Sequence, residues 1–198
     1  MVMHKVIKAI TGRLRRFSRN EDGLASADMI LMLPLYLFCI LGTFTFWDAY
    51  DVVNRSQKAA YSVSDLVTRK QDNVTEAYVN GMFGTVQYML GPSLPTRTRI
   101  TSIFYNGAQN RYEVIWSRSS YPGIPQLTTS TLPTIASHLP ALADGDSLMV
   151  VEVNVEFKPI VGFVMRALNE IPEGTMKHVV ATRPRFLPKV CLQGVACG

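Results

Sequence analysis

Histidine and cysteine are scarce in this sequence, and so are the patterns that build an active site. The three histidines, His4, His138 and His178, are too scattered along 198 residues to form a metal or proton-transfer cluster. The chain has no His-Glu-x-x-His, no Gly-x-Ser-x-Gly and no phosphate-binding loop that ends in Lys-Ser/Thr. Residues 144–147, Asp-Gly-Asp-Ser, lack the acid ladder and closing Glu of a calcium loop, so we expect a turn there. These absences predict a protein that is not an enzyme and that holds no metal or cofactor.

Net charge is nearly absent from the chain after residue 23. Residues 1–23 hold six cations against Glu21 and Asp22, a balance of +4 out of the formal +5, which leaves +1 for residues 24–198. Such a neutral remainder does not form a basic groove for phosphate backbones, so we expect no nucleic-acid partner. The six cations of the tail are Lys5, Lys8, Arg13, Arg15, Arg16 and Arg19.

Charge of either sign is missing from Met29 to Trp47. At about 1.5 Å per helical residue, this run just spans a hydrocarbon core of roughly 30 Å. The positive-inside rule then puts residues 1–22 in the cytoplasm and residues 48–198 outside. Trp47 and Tyr50 follow the run, where they fit either the far membrane interface or helix packing.

The apolar run does not look like a removable secretory signal. Such a signal has an apolar region of roughly 7–15 residues followed by small residues at the cleavage site, whereas here the small residues 25–27 come first. A lipoprotein signal at Cys39 is also excluded, because Leu37 and Phe38 stand where small residues are needed. We therefore expect the segment to stay in the protein, with Cys39 as a small apolar residue in lipid.

Beyond the apolar run, helical periodicity continues to about Arg69, and strand patterns follow. Alternation is clearest at 149–157, where Met149 and every second residue after it are apolar and Glu152 lies on the opposite side. The remaining predicted elements are a helix at 74–90, a hairpin of 98–107 and 110–118 around Asn106-Gly107, a short helix within 134–143 and a strand at about 175–183. Residues 159–168 form an apolar patch that is either domain core or a partner surface.

These elements predict an α+β fold, in which a long N-terminal helix carries a small antiparallel-sheet domain with packed helices. The predicted organisation is a basic leader at 1–23, the long helix at 24–70 with its membrane part at about 29–47, and an external domain at 71–198. Cys191 and Cys197 belong to that external domain, where two nearby thiols pair under oxidising conditions. We therefore expect a disulfide that fixes the C-terminal tail.

The entrance to the apolar run carries a motif. Gly23 ends the charged tail, Leu24 starts the apolar stretch, and Asp28 is the fifth residue counted from Leu24. This layout resembles the type IV pilin-like class, and more specifically the TadE/TadF-like minor pilins (pseudopilins) of tight-adherence (Tad/Flp) pilus systems. Those proteins have a basic tail, a glycine, small residues, an acid, and an aliphatic run interrupted by proline, here Pro34. Residues 51–70 and 179–190 look like the same family.

The resemblance implies cleavage by a prepilin peptidase after Gly23, which leaves a new α-ammonium group on Leu24. It also implies that Asp28 is an assembly contact, because its carboxylate pairs with that ammonium of a neighbouring chain and so offsets the cost of burying an acid in lipid. The alternative is that Asp28 only favours the positive end of the helix dipole. The family more often has Glu at this position, so the reach of Asp28 is shorter by one methylene. We expect Pro34 to kink the helix, although membrane helices also tolerate proline without a bend.

The implied function is that of a minor pilin that initiates or caps a pilus. Its partners would be the prepilin peptidase, other Tad pilins and minor pilins, the inner-membrane assembly platform and membrane lipid. Its location would be the bacterial inner membrane as a single-pass protein, with a cytoplasmic N-terminus, a periplasmic C-terminal domain and a further place in the extracellular pilus. The alternative is a single-pass membrane-anchored protein with an external binding or sensor domain that is never trimmed.

Overall fold

The computed structural model describes residues 24–120, 124–159 and 174–197, with side chains from Asp28 onward. Two helices, four strands and a short 3₁₀ helix make up these residues, which confirms the predicted α+β class. In chain order they are α1 (Leu24–Thr68), α2 (Glu76–Leu90), β1 (Thr96–Asn106), β2 (Arg111–Ser119), the 3₁₀ helix (Leu132–His138), β3 (Ser147–Phe157) and β4 (Gly174–Thr182). The predicted leader 1–23, with Gly23, and the patch at 159–168 from residue 160 on lie outside the described residues.

The four strands form one antiparallel sheet in the order β2-β1-β3-β4. The register sets Ile100 of β1 opposite Val151 of β3, and Val151 opposite Val180 of β4. Since successive side chains of a strand point to opposite faces, these three residues share one face of the sheet. We call it the helix face, because residues of α1 and α2 join the same buried cluster.

The core on the helix face combines small residues of α1 with aliphatic residues of α2 and the strands. Ala59 and Ala60 are fully buried on α1, where the missing side-chain bulk allows close packing of the helix. Valine dominates the strands, which suits a pleated surface that is covered by helices. The cluster consists of Ala49, Val52, Ala59, Ala60, Val63, Val67, Val74, Val79, Val86, Leu90, Ile100, Trp116, Met149, Val151, Val153, Val155, Phe157, Val180, Val190 and Leu192.

A second, smaller core lies on the opposite face of the sheet. Ile103, Leu148 and Val150 of the sheet pack there with Leu132 and Ile135 of the 3₁₀ helix. The sequence predicted a short helix within 134–143, but the structure ends it at His138. Proline explains the early stop, because the residue before a proline is pushed into extended backbone, as Leu139 is before residue 140 (φ −95°, ψ 131°).

Polar caps fix the two ends of α2. The Thr75 hydroxyl accepts a hydrogen bond from the Tyr78 N–H at 3.1 Å, which satisfies one of the free amides of the first turn. At the other end, Gly91 adopts φ +89° and its N–H donates to the Gln87 carbonyl at 2.9 Å. The Gln87 amide also donates to the Leu94 carbonyl at 3.2 Å, so it attaches the break after the helix to the entry of β1.

The predicted hairpin forms at Asn106-Gly107, but its loop is longer than the sequence suggested. β1 ends at Asn106 and β2 begins at Arg111, with Asn110 in the left-handed region at φ 50°. The Gly107 N–H donates to the Asp144 carboxylate at 2.6 Å, and a Cβ at Gly107 would lie 2.7 Å from Asp144 Cγ. Glycine is therefore needed here for the close approach of Asp144, which a sequence pattern does not reveal.

The chain divides into two units between Phe44 and Thr45, so the boundary falls within α1. The first unit contains the charge-free part of the helix as far as Phe44. The second contains the rest of α1 together with α2, the 3₁₀ helix and the sheet.

Candidate functional site

The first half of α1 exposes large apolar side chains. Ten of them between Met29 and Phe44 keep between 48% and 75% of their surface accessible. A soluble domain rarely leaves so much contiguous apolar surface uncovered, and such a surface marks a membrane or protein contact. By length and composition, α1 is the one helix among the described residues that is able to cross a membrane. These ten residues are Met29, Ile30, Leu31, Met32, Leu33, Leu35, Tyr36, Leu37, Ile40 and Phe44.

Asp28 stands exposed at the start of this apolar surface. Leu24, four residues earlier, is the first described residue of α1, and its side chain is not described. Pro34 lies inside the helix, which continues without interruption on both sides of it. The spacing of Leu24 and Asp28 puts the carboxylate about one helical turn from Leu24, since a turn takes 3.6 residues. The predicted roles of cleavage site, assembly contact and kink remain predictions.

One hydroxyl group of the apolar half is bonded within its own helix. The Thr43 hydroxyl donates to the carbonyl of Cys39, one turn earlier, at 2.8 Å. A hydroxyl that bonds back to its own helix carries little unsatisfied polarity into lipid. Cys39 is exposed and unpaired, as expected for a small apolar residue on this surface.

Two aromatic residues follow the apolar surface. The Trp47 ring is 71% exposed and the Tyr50 ring is 65% exposed. Packing within the chain therefore does not account for these rings, although the sequence left that alternative open. An amphipathic ring at the edge of an apolar helix is typical of a membrane interface.

The second half of α1 has the opposite character. Val63 and Val67 are fully buried in the core of the helix face. Ser56, also buried, donates to the carbonyl of Val53 at 2.8 Å, and the buried Ser64 hydroxyl bonds to the Thr182 hydroxyl of β4. The helix is thus joined to the sheet both by apolar packing and by a polar contact.

A buried ion cluster lies on the other face of the sheet. The sequence placed Glu152 opposite the apolar side of β3, and its side chain is only 2% exposed. One carboxylate oxygen lies 2.5 Å from Arg99 Nε and the other lies 3.2 Å from Lys177 Nζ. Arg99 also donates from Nη1 to the Pro125 carbonyl at 2.8 Å. The alternating pattern placed Glu152 on the correct face, but the cations on the neighbouring strands allow its burial.

Residues 183–197, which we call the C-terminal strap, run along the end of α1 and the sheet. The Arg185 N–H donates to the Thr68 carbonyl at the end of α1 at 3.0 Å, and its guanidinium lies 2.7 Å from the Asp65 carboxylate. Ser147, the first residue of β3, donates from its hydroxyl to the Pro188 carbonyl at 2.5 Å. The strap therefore satisfies a terminal carbonyl of α1 that has no partner inside the helix.

The strap continues over the connection between the two helices. The Trp116 indole N–H donates to the Val190 carbonyl at 2.8 Å. Val74 and the strap exchange two backbone hydrogen bonds of 2.8 Å, from the Val74 N–H to the Cys191 carbonyl and from the Gln193 N–H to the Val74 carbonyl. These contacts form a short parallel bridge that ties residue 74 to the chain end.

The predicted pair of Cys191 and Cys197 lies at disulfide distance, with Cα atoms 5.4 Å apart. Leu192, between them, is 1% exposed and joins the core of the helix face. Both cysteines are half-buried. The disulfide therefore closes a small loop within the strap.

Burial shifts the pKa of two titratable side chains, Tyr78 and His178. Burial raises the pKa of Tyr78, whose hydroxyl donates to the Leu66 carbonyl at 3.1 Å. Burial lowers the pKa of His178, because the charged imidazolium loses solvation; no hydrogen-bond partner is found for its Nε2 among the described residues. In the described ranges, no group of three or more His, Cys, Asp or Glu could hold a metal ion.

The structure thus brings Cys191 and Cys197 together and leaves Asp28 and Pro34 on an uncovered helix surface. Sequence reasoning missed the strap and the ion cluster. Val190 and Leu192, on either side of Cys191, were a possible signal for the strap, since valine and leucine are most often buried. Comparisons of the chain with models of known protein families, with curated proteins and with solved structures give no match.

Proposed function

We propose that this chain is a minor pilin, or pseudopilin, of a Tad-type type IV pilus system. In this proposal it is a single-pass protein of the bacterial inner membrane with a cytoplasmic N-terminus and a periplasmic domain. A prepilin peptidase trims it after Gly23, and its helix then enters the pilus to initiate or cap it. The other partners are Tad pilins, minor pilins and the assembly platform.

The observation that carries the proposal is the uncovered apolar surface of α1 from Met29 to Phe44, entered at Asp28. A carboxylate at the edge of lipid needs a cation or water. Trimming after Gly23 would create a cation of the required sign on Leu24, about one turn away in its own chain and free to meet Asp28 of another. The basic tail before Gly23 supports the cytoplasmic orientation of that end.

The domain supports the proposal in a second way. Its core continues directly onto the second half of α1 through Ala59, Ala60 and Val63. A helix that belongs to a membrane-length segment on one side and to a folded domain on the other suits a subunit that is pulled from lipid into a filament. The exposed Trp47 and Tyr50 mark the change between the two.

The alternative is a membrane-anchored binding or sensor domain that is never trimmed. One observation favours it, an open cleft of about 550 Å³ beside the 3₁₀ helix. Tyr112, Leu132, Pro133 and Ala136 give this cleft an apolar lining, and apolar linings are usual in ligand sites. Both proposals require the same membrane topology, so topology does not distinguish them. They differ in whether the N-terminus is trimmed.

The decisive experiment reads the N-terminus of the protein extracted from membranes of its native host. A minor pilin begins at Leu24, whereas the anchored alternative begins at the initiating Met. Gly23→Val should accumulate the untrimmed chain, because the peptidase needs a close backbone approach that glycine permits. Gly12→Val, a glycine of the same tail, is the matched control and should be trimmed normally. Normal trimming of Gly23→Val would overturn the assignment of the cut.

A further inference from the structure

The Cys191–Cys197 disulfide lies wholly inside the C-terminal strap. It does not attach the strap to the sheet or to the helices, because both of its cysteines belong to the strap. Residues 183–188 are attached by Arg185 to the end of α1 and by the Pro188 carbonyl to Ser147. The part around the disulfide is attached by backbone hydrogen bonds to Val74, by the indole bond of Trp116 to Val190 and by the buried side chains of Val190 and Leu192. The disulfide can therefore act on strap docking only through the shape and freedom of its own loop.

The freedom of that loop is large enough to matter. Docking orders the strap residues, and the conformational entropy that each ordered residue loses opposes the hydrogen bonds and the burial of Val190 and Leu192. A closed loop with a sequence separation of 6 has already lost much of that entropy before it docks. In the chain-entropy treatment of disulfides, closure of a loop of this size favours the ordered form about 40-fold.

We propose that the Cys191–Cys197 pair is a redox switch that sets whether the C-terminal strap stays docked over the connection between α1 and α2. In the oxidised form the strap is docked, as the structure has it. In the reduced form the strap opens often enough to uncover Val74, Trp116 and Leu192. The proposal rests on the contacts of the strap and is independent of the pilin assignment.

The exchange chemistry balances with a dithiol as the reductant. A thiolate of the dithiol attacks one of the two sulfur atoms and forms a mixed disulfide, which its second thiol then resolves. Two electrons and two protons pass to the protein, so Cys191 and Cys197 become thiols and the dithiol becomes a disulfide. A disulfide oxidant reverses the reaction. Both cysteines are half-buried residues and neither is enclosed in the core, which suits attack by a small thiol reagent.

The molecule contains a reporter for this opening. Of its two tryptophans, Trp47 is 71% exposed and Trp116 is 3% exposed and bonded to the strap. The substitution Trp47→Phe leaves Trp116 as the single indole. Uncovering of Trp116 then shifts its emission to longer wavelength and raises its quenching by iodide.

The test uses full-length Trp47→Phe protein in detergent micelles, before and after complete reduction with dithiothreitol. We expect the amides of Val74 and Gln193 to exchange with deuterium about 40-fold faster after reduction, with a matching rise in iodide quenching of Trp116. The amide of Val151, in the middle of the sheet, should keep its exchange rate.

Three variants complete the test. The double variant Cys191→Ser with Cys197→Ser should behave like the reduced protein and ignore dithiothreitol. The variant Cys39→Ser should respond to dithiothreitol as the protein with Cys39 does, because Cys39 lies outside the strap. Unchanged exchange at Val74 after full reduction, verified by alkylation of both thiols, would overturn the proposal. An equal acceleration at Val151 would overturn it too, since the disulfide would then stabilise the whole domain rather than the strap.

Discussion

Helix α1 has two regions that share the same backbone geometry but carry different side chains, residues 28–44 and residues 45–68. The first carries leucine, isoleucine, methionine and phenylalanine side chains that stay exposed. The second carries small residues, such as Ala59, Ala60 and Ser64, that are fully buried. A helix that packs on protein needs small side chains so that it can approach closely, whereas a helix in lipid gains from large apolar ones. Side-chain size along α1 therefore reports which surroundings each half meets.

The comparison also explains the placing of hydroxyl groups. In the exposed half, the Thr43 hydroxyl bonds within its own helix. In the packed half, the Ser64 hydroxyl bonds across to Thr182 of the sheet. A hydroxyl that bonds within its own helix needs no other partner in lipid, whereas a polar group in a domain core can join two elements.

The largest effect is expected where the exposed half begins. If the chain is the minor pilin that we propose, Asp28→Asn should leave insertion and trimming normal but keep the protein out of the pilus, because the Leu24 ammonium of the neighbouring chain would lose its partner. Removal of one member of a buried ion pair costs about 3–5 kcal/mol, which weakens a subunit contact more than a hundredfold. The measurement is an immunoblot of sheared pili beside one of the membrane fraction.

Two matched variants define that result. Asp28→Glu should restore assembly, and Asp48→Asn, at the far end of the apolar run, should assemble normally. Normal piliation with Asn at position 28 would reduce Asp28 to a residue that only favours its helix dipole.

In the packed half, the corresponding test enlarges a buried side chain. Ala60→Leu should lower the free energy of unfolding of the domain by about 1–3 kcal/mol, because a fully buried alanine leaves no room for the added carbons. Cys39→Leu adds bulk to the exposed half and should leave domain unfolding unchanged. Chemical unfolding in detergent, followed by the circular dichroism of the sheet, measures both. Equal destabilisation by the two variants would remove the distinction between the halves.

A smaller effect is expected from the polar contact of the packed half. Ser64→Ala removes the partner of the Thr182 hydroxyl and should cost about 1 kcal/mol. Ser62→Ala, two residues earlier and exposed, should change the stability by less than about 0.5 kcal/mol. The same unfolding experiment resolves this difference. If Ser62→Ala lowered the free energy of unfolding as much as Ser64→Ala, the effect would come from helix propensity and not from the contact with β4.

The smallest effect concerns pH and arises on the helix face of the sheet. His178 pairs in register with the buried Val153, and burial lowers its pKa. Below the ordinary histidine pKa of about 6.5, the unfolded chain therefore takes up a proton before the folded chain does. The domain should lose stability as the pH falls below that value, until the folded pKa is passed.

The check compares unfolding midpoints between pH 7.5 and pH 5.5. The substitution His178→Asn should flatten the acid slope, whereas His138→Asn, at an exposed residue of the 3₁₀ helix, should leave it in place. An unchanged slope in His178→Asn would assign the acid sensitivity to another group.

The periodic parts of this fold could be predicted from the sequence. The helical repeat of α1, the alternation of β3 and the turn at Asn106-Gly107 each follow from local chemistry, and the structure has all three. The pairing of Cys191 with Cys197 also followed, because few other partners existed.

The remaining features depend on residues that are distant in sequence. The burial of Glu152 requires Arg99 and Lys177, which reach it from the two neighbouring strands. The strap requires the Trp116 indole to find the Val190 carbonyl. Local sequence patterns do not predict such contacts, because strand order and register determine which distant residues lie next to each other. The roles of Gly23 and Leu24 were assigned through a resemblance alone. Gly23 lies outside the described residues, and the side chain of Leu24 is not described.

The strap also has a consequence for the order in which the molecule is made. Val74 leaves the ribosome early, but its hydrogen-bond partner Gln193 follows 119 residues later, near the chain end. At about 5–20 residues per second, synthesis delays that partner by roughly 6–24 s. A β-hairpin forms in about 1–10 μs, so β1 and β2 can pair long before the strap exists. From the synthesis of Trp116 until Val190 emerges, the indole lacks its strap partner, and an apolar surface left uncovered in this way is prone to aggregation.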